Sequence, residues 1–292
     1  MQTIVTHSGS FDPDDVLAVA ALQLLLGKEH VEVVRSRDEA IMAKADFVVD
    51  VGRVYDPATR RFDHHQEGAP VRDNGVPYSA LGLVWRHYGE EIAGSAAVAD
   101  DIEERLIQPI DAADNHQTVC HPGLAGVTAF EFFDIVDLLK PLSGSEESYD
   151  GQFQVAVDLA VVILTRLIAH STERQKLLSR VREQYEATTR RAVMVFEEPI
   201  PRHLLVDLSE VQVVVCPVTA AETNHWMAAV VPVKRHGFQN RVVFPEAWAG
   251  LTDEALSEVS GITDAVFCHK ERYIFIAKTK EGAIKAAHHT RP

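Results

Sequence analysis

Short apolar runs that each end in a carboxylate or an imidazole constrain this chain more than any other feature. Thr3-Ile4-Val5-Thr6 ends at His7, and Phe47-Val48-Val49 runs into Asp50-Val51-Gly52. Runs this short, apolar and unalternating read as strands buried on both faces of a parallel sheet. Between them the pattern turns helical, from about Asp14 to Leu26 and over Asp38 to Ala45, and Val31 to Arg35 supplies another strand. Such alternation predicts an α/β fold with a doubly wound, mainly parallel sheet. Ligands of such sheets collect beyond the carboxyl ends of the strands. His7, Asp12, Asp14, Asp50 and the triplet Asp63-His64-His65 all fall at or just past such ends. Oxygen and imidazole donors gathered in this way suit a pair of divalent metal ions.

The rest of the chain divides by pattern. Arg61-Phe62-Asp63-His64-His65 ends a further short strand, and helices are expected over Ser79 to Ala93, Val98 to His116 and about Val127 to Leu139. From Gln152 to about Val195 there is neither Pro nor Gly; the segment is apolar at first and charged from Ser171 to Arg191. This predicts a core helix that continues as a connector, closed off by Pro199 and Pro201. Beyond it Leu204 to Leu208, Val211 to Val218, Trp226 to Val233, Ala265 to Cys268 and Tyr273 to Ala277 are strand-like, while Thr252 to Ser260 and Lys280 to His289 are helical. At 292 residues the chain exceeds the usual single core. The expected organisation is a metal-binding domain over 1–170, a helical connector over 171–196 and a smaller C-terminal α+β domain, the candidate substrate-binding one, over 197–292.

Charge narrows the partners. The chain has 28 Lys and Arg against 43 Asp and Glu, a net −15, which argues against tight non-specific binding along duplex nucleic acid. A short oligonucleotide or a small phosphoester stays open, because metal ions supply positive charge locally. The 3 cysteines, Cys120, Cys216 and Cys268, have no CxxC spacing, which disfavours a disulfide framework and fits a reducing cytoplasm. No leader-like segment and no apolar run of bilayer-spanning length stands out, so a soluble protein with no membrane partner is expected. A homo-oligomer is compatible with this composition.

His7-Ser8-Gly9-Ser10-Phe11-Asp12-Pro13-Asp14-Asp15, Val48-Val49-Asp50-Val51-Gly52, and Tyr55-Asp56-Pro57 running into Arg61-Phe62-Asp63-His64-His65-Gln66 together resemble the melanocyte-proliferating-gene-one (Myg) family of the DHH phosphoesterase superfamily. Ile110-Asp111-Ala112-Ala113-Asp114-Asn115 resembles its Asp-x-x-Asp-Asn motif. Gln239-Asn240-Arg241, Pro245-Glu246-Ala247-Trp248 and Glu258-Val259-Ser260-Gly261 resemble later family segments in the same order, so the resemblance spans nearly the whole chain.

The resemblance implies that Asp50 bridges two metal ions. It further implies that His7 and Asp12 complete one shell, while Asp14, His64 and an acid from Asp111 or Asp114 complete the other. His65 would face the substrate phosphate, and Asp63 would orient a neighbouring ligand. In the second domain Asn240, Arg241, Lys270 and Arg272 are the candidates for holding a phosphate or carboxylate. His225-Trp226 and Trp248 are candidates for base stacking, though packing is the commoner role of Trp.

Three departures from the family pattern matter. Asp12 stands where the family usually has a second His; the harder oxygen shell favours Mn²⁺ or Mg²⁺ over Zn²⁺. His116 replaces the Gly that usually follows Asp-Asn. His269-Lys270-Glu271-Arg272 lacks the glycines of the matching family segment, which weakens the expectation of close backbone approach to a nucleotide.

Singly, each residue has an ordinary alternative. Asp12 or Asp14 at the head of a helix is most simply an N-cap, an adjacent His pair is most often solvated, and Asp111 and Asp114 could face water. It is the ordered set that carries the metal reading. The expected activity is that of a two-metal, activated-water phosphoesterase, a 3′-5′ exonuclease on RNA or short oligonucleotides by resemblance. The alternatives are a small-molecule phosphohydrolase acting on pyrophosphate or a nucleotide derivative, and a non-catalytic, metal-stabilised binding protein.

Overall fold

Ile4 and Val5 of β1 (Gln2–Thr6) are buried. Burial on both faces is what an unalternating apolar strand requires. The computed structural model describes every residue except 118, 120–125, 219–223, 236, 238 and 292, and its chain forms two compact units, Met1–Gln175 and Lys176–Pro292.

In the first unit β1 is followed by α1 (Pro13–Leu26), β2 (Val31–Arg35), α2 (Glu39–Met42), β3 (Phe47–Val49), β4 (Tyr55–Asp56) and β5 (Arg61–Phe62). The sheet order is β2-β1-β3-β5-β4, parallel except for the antiparallel edge pair of β4 and β5. Residues Pro13 to Gln23 of α1 are all buried. Asp12 caps this helix, accepting from the Asp14 N–H, while Asp15 accepts from the Asp12 N–H, and Pro13 sits where a missing N–H costs nothing. The expected helix over Asp38 to Ala45 is a single turn, α2.

Next come α3 (Ala80–Ala93), α4 (Ala96–Ile102) and α5 (Gln108–Asp114), the last two joined through a π-type turn over Glu103–Ile107. Pro109 has no N–H to donate, which accounts for the changed hydrogen-bonding just before it. The expected helix over Val127 to Leu139 is shorter, α6 (Phe132–Asp137).

The helix α7 (Tyr149–Ala187) runs unbroken from the first unit into the second. It corrects the expectation that no apolar run approaches bilayer length: by length and composition it could cross a membrane, with a stretch of mean hydropathy 1.7. Its Phe153, Ala156, Val157, Ala160 and Leu164 are buried in the first unit's core, as in a core helix.

The second unit contains β6 (Val193–Val195), β7 (Val213–Pro217), β8 (Trp226–Val230), α8 (Asp253–Ser260), β9 (Ala265–Cys268), β10 (Ile274–Ala277) and α9 (Lys280–Ala287). Its sheet order is β6-β7-β8-β10-β9, with only β6 and β7 parallel. Two expectations fail here. Val193–Val195 leaves the helical run and becomes a strand, and Leu204 to Leu208 forms a 3-10 turn over Arg202–Leu205 instead of a strand. Pro201 starts that turn, which buries Leu204 and Leu205. Cys216 and Cys268 are buried free thiols; Cys120 lies outside the described residues.

Candidate metal centre

Beyond the carboxyl ends of β1, β3 and β5 the chain gathers its acids and imidazoles. Asp50 is the pivot. It follows β3 directly in a left-handed conformation, φ 55°, which short polar residues tolerate best among non-glycines. One of its oxygens lies 3.2 Å from His7 Nε2, and the other 3.5 Å from His64 Nε2 and 3.5 Å from His65 Nδ1.

His64 Nε2 is also 3.4 Å from Asp114 and 3.8 Å from Asp14. Two overlapping groups result, Asp50 with His64 and His65, and Asp14 with His64 and Asp114, each with its ligand atoms within 4.8 Å of one another. The second group contains Asp14 and His64 of the shell expected from sequence, and of the two acids left open it brings Asp114 beside them. Asp114 joins the site, whereas Asp111 is turned away from it. The Asp111 carboxylate accepts from Ser79 Oγ and the Gly82 N–H and lies 2.6 Å from Arg72 Nη2, a close ion pair that is not aligned as a hydrogen bond. Gly82 is needed for this approach, because a Cβ there would lie 1.9 Å from the Asp111 carboxylate.

The His7 and Asp12 shell is gathered only in part. Asp12 spends one oxygen on the helix cap, and the acid that faces His7 Nε2 beside Asp50, also at 3.2 Å, is Asp15. Sequence reading missed Asp15, although its place three residues after Asp12 is the spacing of a capping box. Asp14 is fully buried and accepts from Ser79 Oγ and from the Ala80 and Leu81 N–H groups, so it also caps α3. Asp63 accepts through Oδ1 from both the backbone and Nδ1 of His65, and through Oδ2 from the Arg53 N–H.

Without a metal the electrostatics of this cluster are strained. Burial and the charges of Asp15 and Asp50 push Asp12 up to about 6. Burial outweighs the nearby His64 and raises Asp114 to about 7, and burial with the Asp50 and Asp114 charges lifts Asp14 well above the carboxylate range. Burial opposes charge on His7, but Asp15 and Asp50 overcome it and raise the imidazole to about 10. Asp50, despite burial, is held at about 2 by His64 and His7. Buried His7 Nδ1, Asp50 Oδ1 and Asp114 Oδ2 have no hydrogen-bond partner among the described residues. Crowded carboxylates that resist ionisation, with buried donor atoms unsatisfied, are the environment a divalent cation relieves. The residues present therefore fit metal binding.

A family model named for MYG1 exonuclease, and described as uncharacterised protein family UPF0160, matches residues 3–290. The chain belongs to this family. It is 28% identical to the MYG1 exonuclease of Homo sapiens over 98% of its own length and 85% of the relative's. It is 29% identical to a MYG1 protein of Chlamydia pneumoniae over 98% and 95%. Among solved structures it matches a pGpG-specific phosphodiesterase, PggH, from Vibrio cholerae at 12% identity and TM-score 0.35, covering 95% of this chain and 92% of that one. RecJ of Thermus thermophilus in complex with Mn²⁺ matches at 14% identity and TM-score 0.28, covering 98% and 52%. Scores this low give the two structural likenesses no weight for function.

The second-unit candidates fare unevenly for a MYG1 protein. Arg241 ties loops of its own unit together: its guanidinium donates to the carbonyls of Val206, Leu208 and Val211 at 2.5–2.6 Å. Asn240 Oδ1 accepts from Arg202, and Arg272 holds the Phe244 carbonyl, so both are also engaged internally. Lys270 remains exposed. Trp248 is buried in the core, stacked on Phe244 at 6.0 Å, which removes it as a base-stacking platform.

Proposed function

We propose that the chain is a divalent-metal-dependent phosphodiesterase that acts as a 3′-5′ exonuclease on RNA or short oligonucleotides. The observation that carries this reading is the joining of the two potential metal-ligand groups through His64 at the carboxyl edge of a parallel sheet. Asp14, His64 and Asp114 would hold one ion, and Asp50 with His7 and Asp15 or Asp12 the other, with Mn²⁺ or Mg²⁺ preferred for the oxygen-rich set. Bound there, such ions supply Lewis acidity and lower the pKa of water.

The protein's own groups have separate tasks. Asp63 fixes the ring of His65 and favours its protonated form, so that His65 can meet negative charge on a phosphoryl oxygen. Asp14 is held by the Ala80 and Leu81 N–H groups, which keeps it in place as charge changes. Membership of the MYG1 exonuclease family supports the nuclease class over a binding role.

The test is reconstitution of EDTA-treated protein with Mn²⁺, Mg²⁺ or Zn²⁺ on end-labelled single-stranded RNA. Stepwise shortening from the 3′ end with Mn²⁺ or Mg²⁺, abolished by Asp50→Asn, is expected. A metal-free enzyme of undiminished activity, or an active Asp50→Asn variant, overturns the reading. A second reading, hydrolysis of a small phosphoester, is favoured by one feature: the cavity at the site, about 320 Å³, is at the small end of ligand pockets, which run from about 300 Å³ upward. Turnover of pyrophosphate or a dinucleotide with no RNA shortening would select it.

A further inference from the structure

We propose that Arg37 and Arg53 form an anion clamp for a second phosphate, so that the preferred substrate is a phosphodiester carrying another phosphate group close to the scissile bond. The proposal rests on the phosphodiesterase reading above and adds the substrate feature that the site recognises.

Both arginines line the site cavity together with Asp12, Asp114 and His65. Arg37 lies just past β2 and Arg53 just past β3, so in the order β2-β1-β3 they flank His7 at the end of the central strand. Adjacent strands lie about 4.8 Å apart, so β2 and β3 run roughly 10 Å apart on either side of β1.

Their freedom sets them apart from their neighbours. Arg35 is bound to Asp150 and the Gly9 carbonyl, Arg60 lies over the Phe47 ring, Arg61 holds the Met42 and Ala45 carbonyls, and Arg72 pairs with Glu103 and Asp111. The side chains of Arg37 and Arg53 make no hydrogen bond, ion pair or ring contact with any described residue. In a chain of net charge −15, with carboxylates in the same cavity, two uncommitted guanidinium groups are an available anion site.

The backbone of Arg53 is also built into the centre. It adopts φ 54°, a conformation rare for residues with a side chain, and its N–H donates to Asp63 Oδ2 at 2.6 Å. The other oxygen of Asp63 positions His65. One carboxylate therefore fixes both the group placed to meet the scissile phosphate and the base of the clamp. The scissile phosphate has His65 and the metal ligands to meet it, which leaves the arginines for charge elsewhere on the substrate.

The test uses the full chain with Mn²⁺ and these probes: bis(p-nitrophenyl) phosphate, a thymidine dinucleotide, and the same dinucleotide with a 5′- or a 3′-phosphate. For wild type, one phosphorylated dinucleotide should exceed the unphosphorylated one in kcat/KM by roughly tenfold or more, as charge-assisted pairing with phosphate implies. In Arg37→Ala/Arg53→Gly, where glycine relaxes the backbone and protects folding, that preference should vanish. The loss on the phosphorylated dinucleotide should exceed the loss on bis(p-nitrophenyl) phosphate by a similar factor. Equal losses on all probes, or no preference in wild type, overturn the clamp.

Should wild type cleave no probe, the phosphodiesterase reading fails, and the clamp is judged by calorimetric titration with thymidine 3′,5′-bisphosphate. Affinity weakened roughly tenfold in the double variant upholds it. Equal affinity, or no binding to wild type, overturns it.

Discussion

Asp63 and His65 are joined twice: one carboxylate oxygen accepts from the His65 backbone N–H at 3.0 Å and lies 2.8 Å from its Nδ1. The pair forms a closed local unit at the end of β5, with Asp63 buried and His65 half exposed toward the cavity. Asp63 raises the imidazole's pKa while the His65 contacts and the Arg53 N–H lower that of Asp63, against its burial.

This relationship predicts the effect of Asp63→Asn. The His65 ring should titrate at lower pH in the metal-free variant, because its charge partner is gone, and turnover should fall about 10- to 100-fold, the usual cost of losing an orienting partner at a metal site. NMR titration of the ring and steady-state kinetics check the two parts. An unshifted ring would show that Asp63 does not act through His65.

Asp111 and Asp114 should separate stability from metal binding. Asp111→Ala removes the acceptor of the Gly82 N–H and of Ser79 Oγ and should cost about 1–3 kcal/mol of folding stability while leaving metal stoichiometry unchanged. Asp114→Asn should leave stability nearly intact and weaken metal binding by at least the roughly 10–100-fold seen when supporting residues are removed. Chemical denaturation and metal analysis distinguish them, and the reverse pattern would exchange their roles.

Metal removal should make stability depend on pH in a defined direction. In the metal-free fold Asp12 and Asp111 are raised to about 6 and Asp114 to about 7, against an unfolded value near ~3.9. Acids raised by folding stabilise the fold while protonated. Their contribution is complete below about pH 4 and disappears as pH rises through 6 to 7. Asp50, held at about 2, acts oppositely and loses its contribution only as pH falls through that value. Saturating Mn²⁺ should therefore raise Tm more at pH 8 than at pH 5. A gain that is equal or larger at pH 5 would contradict the crowded-carboxylate account.

Arg241→Ala should act on folding and leave substrate affinity alone. Removing hydrogen bonds from a charged group to the Val206, Leu208 and Val211 carbonyls should lower stability by about 3 kcal/mol. The folded fraction should retain the wild-type KM for oligonucleotides. A raised KM with unchanged Tm would restore Arg241 as a substrate contact.

The sequence by itself determined the parallel sheet and the strand-end placement of its acids and imidazoles, because an apolar run without alternation needs cover on both faces and can end only at the sheet's edge. It also determined the edges of most elements in both units, for instance Val31–Arg35 and Ala265–Cys268, where apolar residues and turn signals coincide. It could not choose Asp114 over Asp111. Both lie on one short helix, and the choice depends on Ser79, Gly82 and Arg72, residues about 30 to 40 positions away that capture one carboxylate and leave the other for His64. The pairing of His7 with Asp15, the internal commitment of Arg241 and the freedom of Arg37 and Arg53 were likewise decided by tertiary structure. Which donor meets which acceptor is a matter of distance in space, and spacing along the chain records that only within a turn or two of the same helix.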